Sequence, residues 1–208
     1  MADQLFLSLW YPNFRMAALG PAILGVLRQF AVIGAAPGNS PAIQAASVYP
    51  ISWSETPIYN RVYEEDEAEP AQPASAVPEA MDPLHDDYAY EFEIEWELWQ
   101  PQAEGDLDLL WRKSPSPVRV VGFGPEFDEG AYQTNGEVRI GFGLDTPFLQ
   151  EEVDLDGEAA ARVRENIAQL VALVRAIEKN CGISTRLLWS ESGESLAEKL
   201  IARLQQVN

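Results

Sequence analysis

Four glutamates, Glu91, Glu93, Glu95 and Glu97, stand two residues apart in the stretch Tyr88–Leu98. In an extended strand that spacing projects all four carboxylates from one face at intervals of about 7 Å, twice the rise per residue. Such a row can chelate cations, supply paired acid and base groups, or dock a basic surface. It can equally be a solvated strand face neutralised by neighbouring cations. Arg112, Lys113, Arg119 and Arg139 lie on adjacent candidate strands and are the available cations.

Other residues with chemical capacity are more isolated. His85 is the single histidine and is followed by Asp86 and Asp87. One imidazole without a second histidine or a cysteine pair does not make a zinc site. Asp154, Asp156 and Glu158 surround Gly157 but lack the twelve-residue calcium-loop pattern, and capping of a following helix accounts for them. Gly122-Phe123-Gly124 is followed by Pro125 rather than by a helix pattern, so turn or bulge glycines are expected instead of a dinucleotide fingerprint. Ser190 and Ser192 lack the glycine that precedes a nucleophile in a serine-hydrolase turn, which favours an N-cap. Cys181 stands alone, excludes an internal disulfide, and reads as a small buried hydrophobe near a helix end. No catalytic residue, metal ligand or cofactor is implied by any of these patterns.

The glutamate row needs a strand, and the alternation provides one. Tyr88, Tyr90, Phe92, Ile94, Trp96 and Leu98 occupy the opposite face and belong to a core. Leu5–Trp10 reads as a strand apolar on both faces apart from Ser8, which predicts a central position in a sheet. A helix is expected over 14–33, kinked at Pro21. Residues 43–53 and 57–63 are predicted to pair as a hairpin across Ser54-Glu55-Thr56. Further strands are predicted near 107–112, 117–124, 130–134 and 137–143, the last two joined by an Asn135-Gly136 hairpin turn. From Asp156 the apolar stripe Ala160, Val163, Ile167, Leu170, Val171, Val174 and Ile177 predicts a helix that Gly182 ends. Ile183–Trp189 reads as a strand, and Leu196–Leu204 as a last helix.

Between these elements lies a segment of different composition. Residues 64–84 hold four prolines, five alanines and seven acids, with Val77, Met81 and Leu84 as the large apolar side chains. Such a stretch has little surface to bury against its ordering entropy, so a flexible acidic Pro/Ala-rich loop is expected at about 64–86.

The whole chain carries 14 basic and 33 acidic residues, a formal charge of −19, and 47% of its 208 residues are hydrophobic, enough for a buried core. Thirteen of the acids fall between Glu64 and Glu97 with no Lys or Arg among them. The remaining 20 acids against 14 bases leave −6, so the excess is one acidic segment on a mildly acidic protein. Phosphate-backbone binding needs a basic face, so direct nucleic-acid binding is not expected.

The N-terminus lacks a basic signal-peptide region, and the apolar stretch Leu19–Leu27 stops at Arg28 and Gln29, short of a bilayer span. A cytoplasmic protein without membrane association is the expectation. The element order predicts a single α+β domain, with a mainly antiparallel or mixed sheet and about three helices packed on one side. An elaborated ferredoxin-like core is one topology that this order allows. The charge and the sparse catalytic equipment favour a non-catalytic interaction protein, an acidic inhibitor or immunity-type binder of a basic protein partner, acting through Glu91, Glu93, Glu95 and Glu97. The alternatives are a carboxylate- or metal-dependent enzyme and a small-ligand binding protein with an aromatic pocket.

Overall fold

A computed structural model describes residues 2–33, 41–63, 71–104, 108–150, 157–192, 198–201 and 205. Strand β1 (Gln4–Trp10) leads through a 3₁₀ turn (Met16–Ala18) into helix α1 (Leu19–Ile33). There follow β2 (Ile43–Pro50), β3 (Tyr59–Val62), α2 (Pro73–Ala80), β4 (Tyr88–Glu104) and β5 (Asp108–Phe123). The helical turn α3 (Tyr132–Asn135), β6 (Val138–Leu144), the turn α4 (Thr146–Leu149), α5 (Gly157–Asn180) and β7 (Thr185–Ser190) complete the described elements, and residues 198–201 are again helical.

The strands form one seven-stranded sheet in the order β3-β2-β4-β5-β6-β1-β7, with every neighbouring pair antiparallel. This is an α+β fold. Residues before 63 join the sheet of the later strands, since β1 lies between β6 and β7. That places β1 second from the edge rather than at the centre. On its second face Phe6 stacks on Trp189 of β7 at 4.7 Å.

Alternation decides which face of the sheet meets the helices. Leu5, Leu7 and Leu9, then Tyr90 through Leu98 at every second residue, then Val118, Val120, Val138, Ile140 and Phe142 share one cluster with the buried residues of α1, α2 and α5. Helix α1 supplies Leu19, Ile23, Val26, Leu27 and Phe30, at the three- and four-residue spacing that keeps one stripe inward. Trp96 anchors the cluster, with Phe30 edge-on at 5.6 Å and Phe142 at 5.8 Å. The stripe expected on α5 is buried except at Val171, which is 38% exposed. Gly182 leaves the helix at φ +65°, a conformation glycine adopts without a Cβ penalty.

The 16-residue strand β5 is continuous where a break was expected between 112 and 117. Pairing with β6 covers Arg119–Gly122, so β5 is an edge strand at Pro115 and Pro117, where a missing N–H breaks no bond to β6. The free edge of β4 beyond β2 is satisfied by α5. The fully buried Asn166 accepts from the Trp99 N–H at 2.9 Å and donates to the Trp99 and Pro147 carbonyls, each at 2.8 Å.

Two further expectations are corrected. The segment expected to be a loop over 64–86 contains α2 and a turn that bonds to the sheet; residues 64–70 lie outside the described residues. Pro73 opens the helix at its first position, and Ala76, Val77, Ala80 and Met81 fall on one buried face. Composition hid this face because two of its four members are alanines, set among prolines and acids. An Arg61–Glu79 ion pair at 2.8 Å ties α2 to β3. Second, 130–134 is not a strand and Asn135-Gly136 is not a hairpin turn. Residues 132–135 form one helical turn, held by Asn135 and Gly136 N–H bonds to the Ala131 and Tyr132 carbonyls. Gly136 then passes so close to the Leu9 backbone that a Cβ would collide with it, a contact no local pattern announces.

The stretch Met16–Ile33 is long and apolar enough to cross a membrane by length and composition, so the single Arg28 does not cut it short as expected from the sequence. In this structure its apolar stripe packs on the sheet.

Candidate functional site

The face of the sheet away from α1, α2 and α5 carries the glutamate row. At one end this face is closed by a small second cluster of Ala89, Val121, Phe123 and Phe127, with Tyr49 and Trp53 packed on it. Trp53 meets Phe127 edge-on at 5.2 Å. Beyond that cluster the face is charged and, among the described residues, open.

Register places the charges. Glu93 stands opposite Arg119 on β5, and the Arg119 Nε donates to Glu93 Oε2 at 3.1 Å. Arg139 on β6 stands opposite Val121 and Ser8. Its guanidinium lies about 5 Å from the Phe6 and Phe123 ring centroids (5.1 and 5.2 Å) and donates through Nη1 to Asn135 Oδ1 at 3.0 Å. Asn135 reaches it because the helical turn α3 ends there. Glu91 is half-buried between these arginines and makes no hydrogen bond or ion pair among the described residues.

Burial raises the Glu91 pKa above its ordinary value, and Glu93 adds to the rise while Arg119 and Arg139 oppose it. Burial likewise lowers the pKa of Arg139, with Glu91 opposing that shift, whereas the Glu93 hydrogen bond raises that of Arg119. The two groups that lose most hydration are thus Glu91 and Arg139, one of each sign.

Glu95 and Glu97 differ from the first two. Both are exposed, and the residues opposite them are Pro117 and Pro115. Among the described residues neither makes an ion pair. Of the cations expected to neutralise the row, Arg119 and Arg139 do face it, while Lys113 pairs with Glu165 of α5 at 3.1 Å.

Between Glu91 and β1 the face is concave. Gln4, Phe6, Glu91, Pro117, Arg119, Val121, Arg139, Gly141 and Gly143 enclose a volume of about 420 Å³. The hollow exists because two successive open-face positions of β6, Gly141 and Gly143, have no side chain. A second hollow of about 520 Å³, against Gln100, Phe142 and Pro147, shares Gln4, Pro117 and Gly143 with it. The row of glutamates pointed to Glu91 but not to the concavity. The Gly141-x-Gly143 pattern, which puts two bare positions on one strand face, is the sequence signal that could have found it.

The other sequence candidates lie apart from this face. His85 is exposed with its ring 4.5 Å from that of Tyr88. Among the described residues no group of three or more His, Cys, Asp or Glu is placed to hold a metal ion. Cys181 follows α5, packs against the core, and has its thiol pKa pushed up to about 11 by burial, which keeps it protonated. Glu158 pairs with Arg162 one turn on. Asp154 and Asp156 lie outside the described residues, as do the residues that Ser190 or Ser192 would cap. Gly122 and Gly124 mark close approaches: a Cβ on Gly122 would lie 2.7 Å from Ile23 Cδ1, and one on Gly124 would strike the Asp86 carbonyl.

Comparison of this chain with family models, with curated proteins and with solved structures finds no match.

Proposed function

We propose that this chain is a non-catalytic interaction protein that binds a basic protein partner through the open face of its sheet. The observation that carries the reading is the pair Glu95 and Glu97, without an ion pair among the described residues and exposed opposite Pro117 and Pro115 on a face that α1, α2 and α5 leave uncovered. Glu93 and Glu91 continue the row inward, and the acidic residues from Glu64 onward add a long-range field that steers a cationic partner. An inhibitor or immunity-type protein that covers a basic site on its target fits this charge. The setting is taken as cytoplasmic. The six elements β1, α1, β5, β6, α5 and β7, whose strands lie as β7-β1-β6-β5, are read as an elaborated ferredoxin-like core with β2, β3, β4 and α2 inserted.

A carboxylate enzyme draws less support, since Glu93 is committed to Arg119 and Glu95 is exposed beside it. The test is capture of partners on the immobilised chain, eluted by a salt gradient, against the variant Glu95→Gln/Glu97→Gln. A basic protein retained at low salt and lost by the variant supports the reading. No retention, or retention unchanged in the variant, sinks it.

A further inference from the structure

We infer that the concavity floored by Gly141 and Gly143 is a binding site for a small zwitterion of the α-amino-acid class, held at its ammonium by Glu91 and at its carboxylate by Arg119. This goes beyond the docking of a basic partner and does not rest on it.

The first ground is that the fold does not ask for glycine at 141. A Cβ there would meet Phe6 ring atoms at 3.5 and 3.6 Å and the Arg119 carbonyl at 3.9 Å, all ordinary contacts, and its φ lies outside the left-handed region. Gly122, Gly124 and Gly136 are different, because there a Cβ collides with side chains or backbone. Glycine inside a strand weakens it and commonly marks the close approach of a ligand or another backbone. The Phe6 ring lies against Gly141, and beside it opens the concavity of about 420 Å³, a volume within the range of small-molecule clefts.

The second ground is the chemistry of the lining. Glu91 offers a half-buried carboxylate with no hydrogen-bond partner among the described residues. Arg119 spends its Nε on Glu93, which among the described residues leaves its terminal N–H groups to meet an anion. Arg139 is fixed by Asn135 and by the rings of Phe6 and Phe123, so it adds positive potential without having to be ordered on binding. Two guanidiniums against Glu91 and Glu93 leave the site close to neutral. A net cation would face both arginines and a net anion both glutamates, whereas a zwitterion matches each sign with its opposite. Phe6, Val121 and Pro117 provide an apolar wall for the ligand's side chain. Burial has already made the Glu91 charge costly, a cost that an ammonium partner relieves.

The test is a thermal-shift and calorimetric screen of the full chain against the twenty L-α-amino acids, each paired with its α-amide and its N-acetyl derivative. At least one free amino acid should raise the melting temperature saturably, with both derivatives at least tenfold weaker. Glu91→Gln and Arg119→Gln should each weaken binding at least tenfold, and Gly141→Leu should abolish it by filling the floor. Absence of any saturable shift or heat from all twenty overturns the proposal. So does binding that survives in a folded Gly141→Leu protein, or that ignores the loss of either charge on the ligand. Should Gly141→Leu not fold, the derivatives together with Arg119→Gln, an exposed position, decide the matter alone. Failure here leaves docking at Glu95 and Glu97 standing, because that test is read on other residues.

Discussion

Tyr90, Phe92, Ile94, Trp96 and Leu98 alternate along β4 with Glu91, Glu93, Glu95 and Glu97, so one strand meets two opposite environments. On the helix side every one of these residues is buried, at 4% exposure or less, in contacts that the chain supplies to itself. On the open side the chain completes only part of the job. Arg119 answers Glu93, two rings and Asn135 hold Arg139, but among the described residues Glu91 is left without a bonded partner, and Glu95 and Glu97 face prolines. The difference separates residues that hold the fold together from residues whose burial or charge the fold does not use. Glycines divide in the same way. Gly122 is demanded by Leu19 and Ile23 on the helix side, whereas Gly141 on the open side has room for a methyl.

The contrast is broken most forcefully at Phe92. Phe92→Ala should cost about 3–5 kcal/mol, the transfer loss plus a cavity beneath the helices. Glu95→Ala on the other face should stay within about 0.5 kcal/mol. Urea denaturation of the two variants measures both, and comparable losses would show that the open face is structural after all.

The glycine contrast should be smaller and should change sign. Gly122→Ala must push Leu19 and Ile23 aside, an overpacking cost of about 1–3 kcal/mol. Gly141→Ala should gain up to about 0.5–1 kcal/mol, because alanine loses less freedom than glycine when a strand forms. A destabilised Gly141→Ala protein would mean that the fold does require that glycine.

The finest distinction is a pH dependence. The folded-state pKa of Glu91 is raised, so the native protein holds this proton to higher pH than the unfolded chain does. Between the ordinary value of 4.5 and the folded value, stability therefore falls as pH rises, and it levels off above that window. Glu91→Gln removes this titration. Its stability relative to the parent should improve as pH rises above the ordinary carboxyl value of 4.5, and then level off. A difference that is flat or runs the other way would show that the arginines, not burial, dominate at Glu91.

Local patterns carried much of the architecture. The period-two alternation of β4 and the three-and-four spacing of α5 are set by residues a few positions apart, and both elements stand where those patterns put them. The β2–β3 hairpin and the α+β class followed from the same kind of evidence. Small residues were harder to read. Ala76 and Ala80 were hidden in a Pro/Ala-rich stretch, and the Asn135-Gly136 pair has the residue types of a hairpin turn yet serves a helical turn. In both places the deciding contacts come from distant segments, the sheet against α2 and the Leu9 backbone against Gly136.

The candidate site was legible to a similar depth. By itself the sequence determined that four carboxylates share one face of β4, because alternation is a property of the extended backbone alone. Which of the four is neutralised, which is half-buried and which stands free was decided by register across β5, β6 and β1. That register brings Arg119, Arg139, Phe6 and two bare glycines beside Glu91 from positions up to 85 residues along the chain. Strand pairing is a non-local choice, fixed by the whole buried face at once, so the concavity is visible only after the sheet has formed.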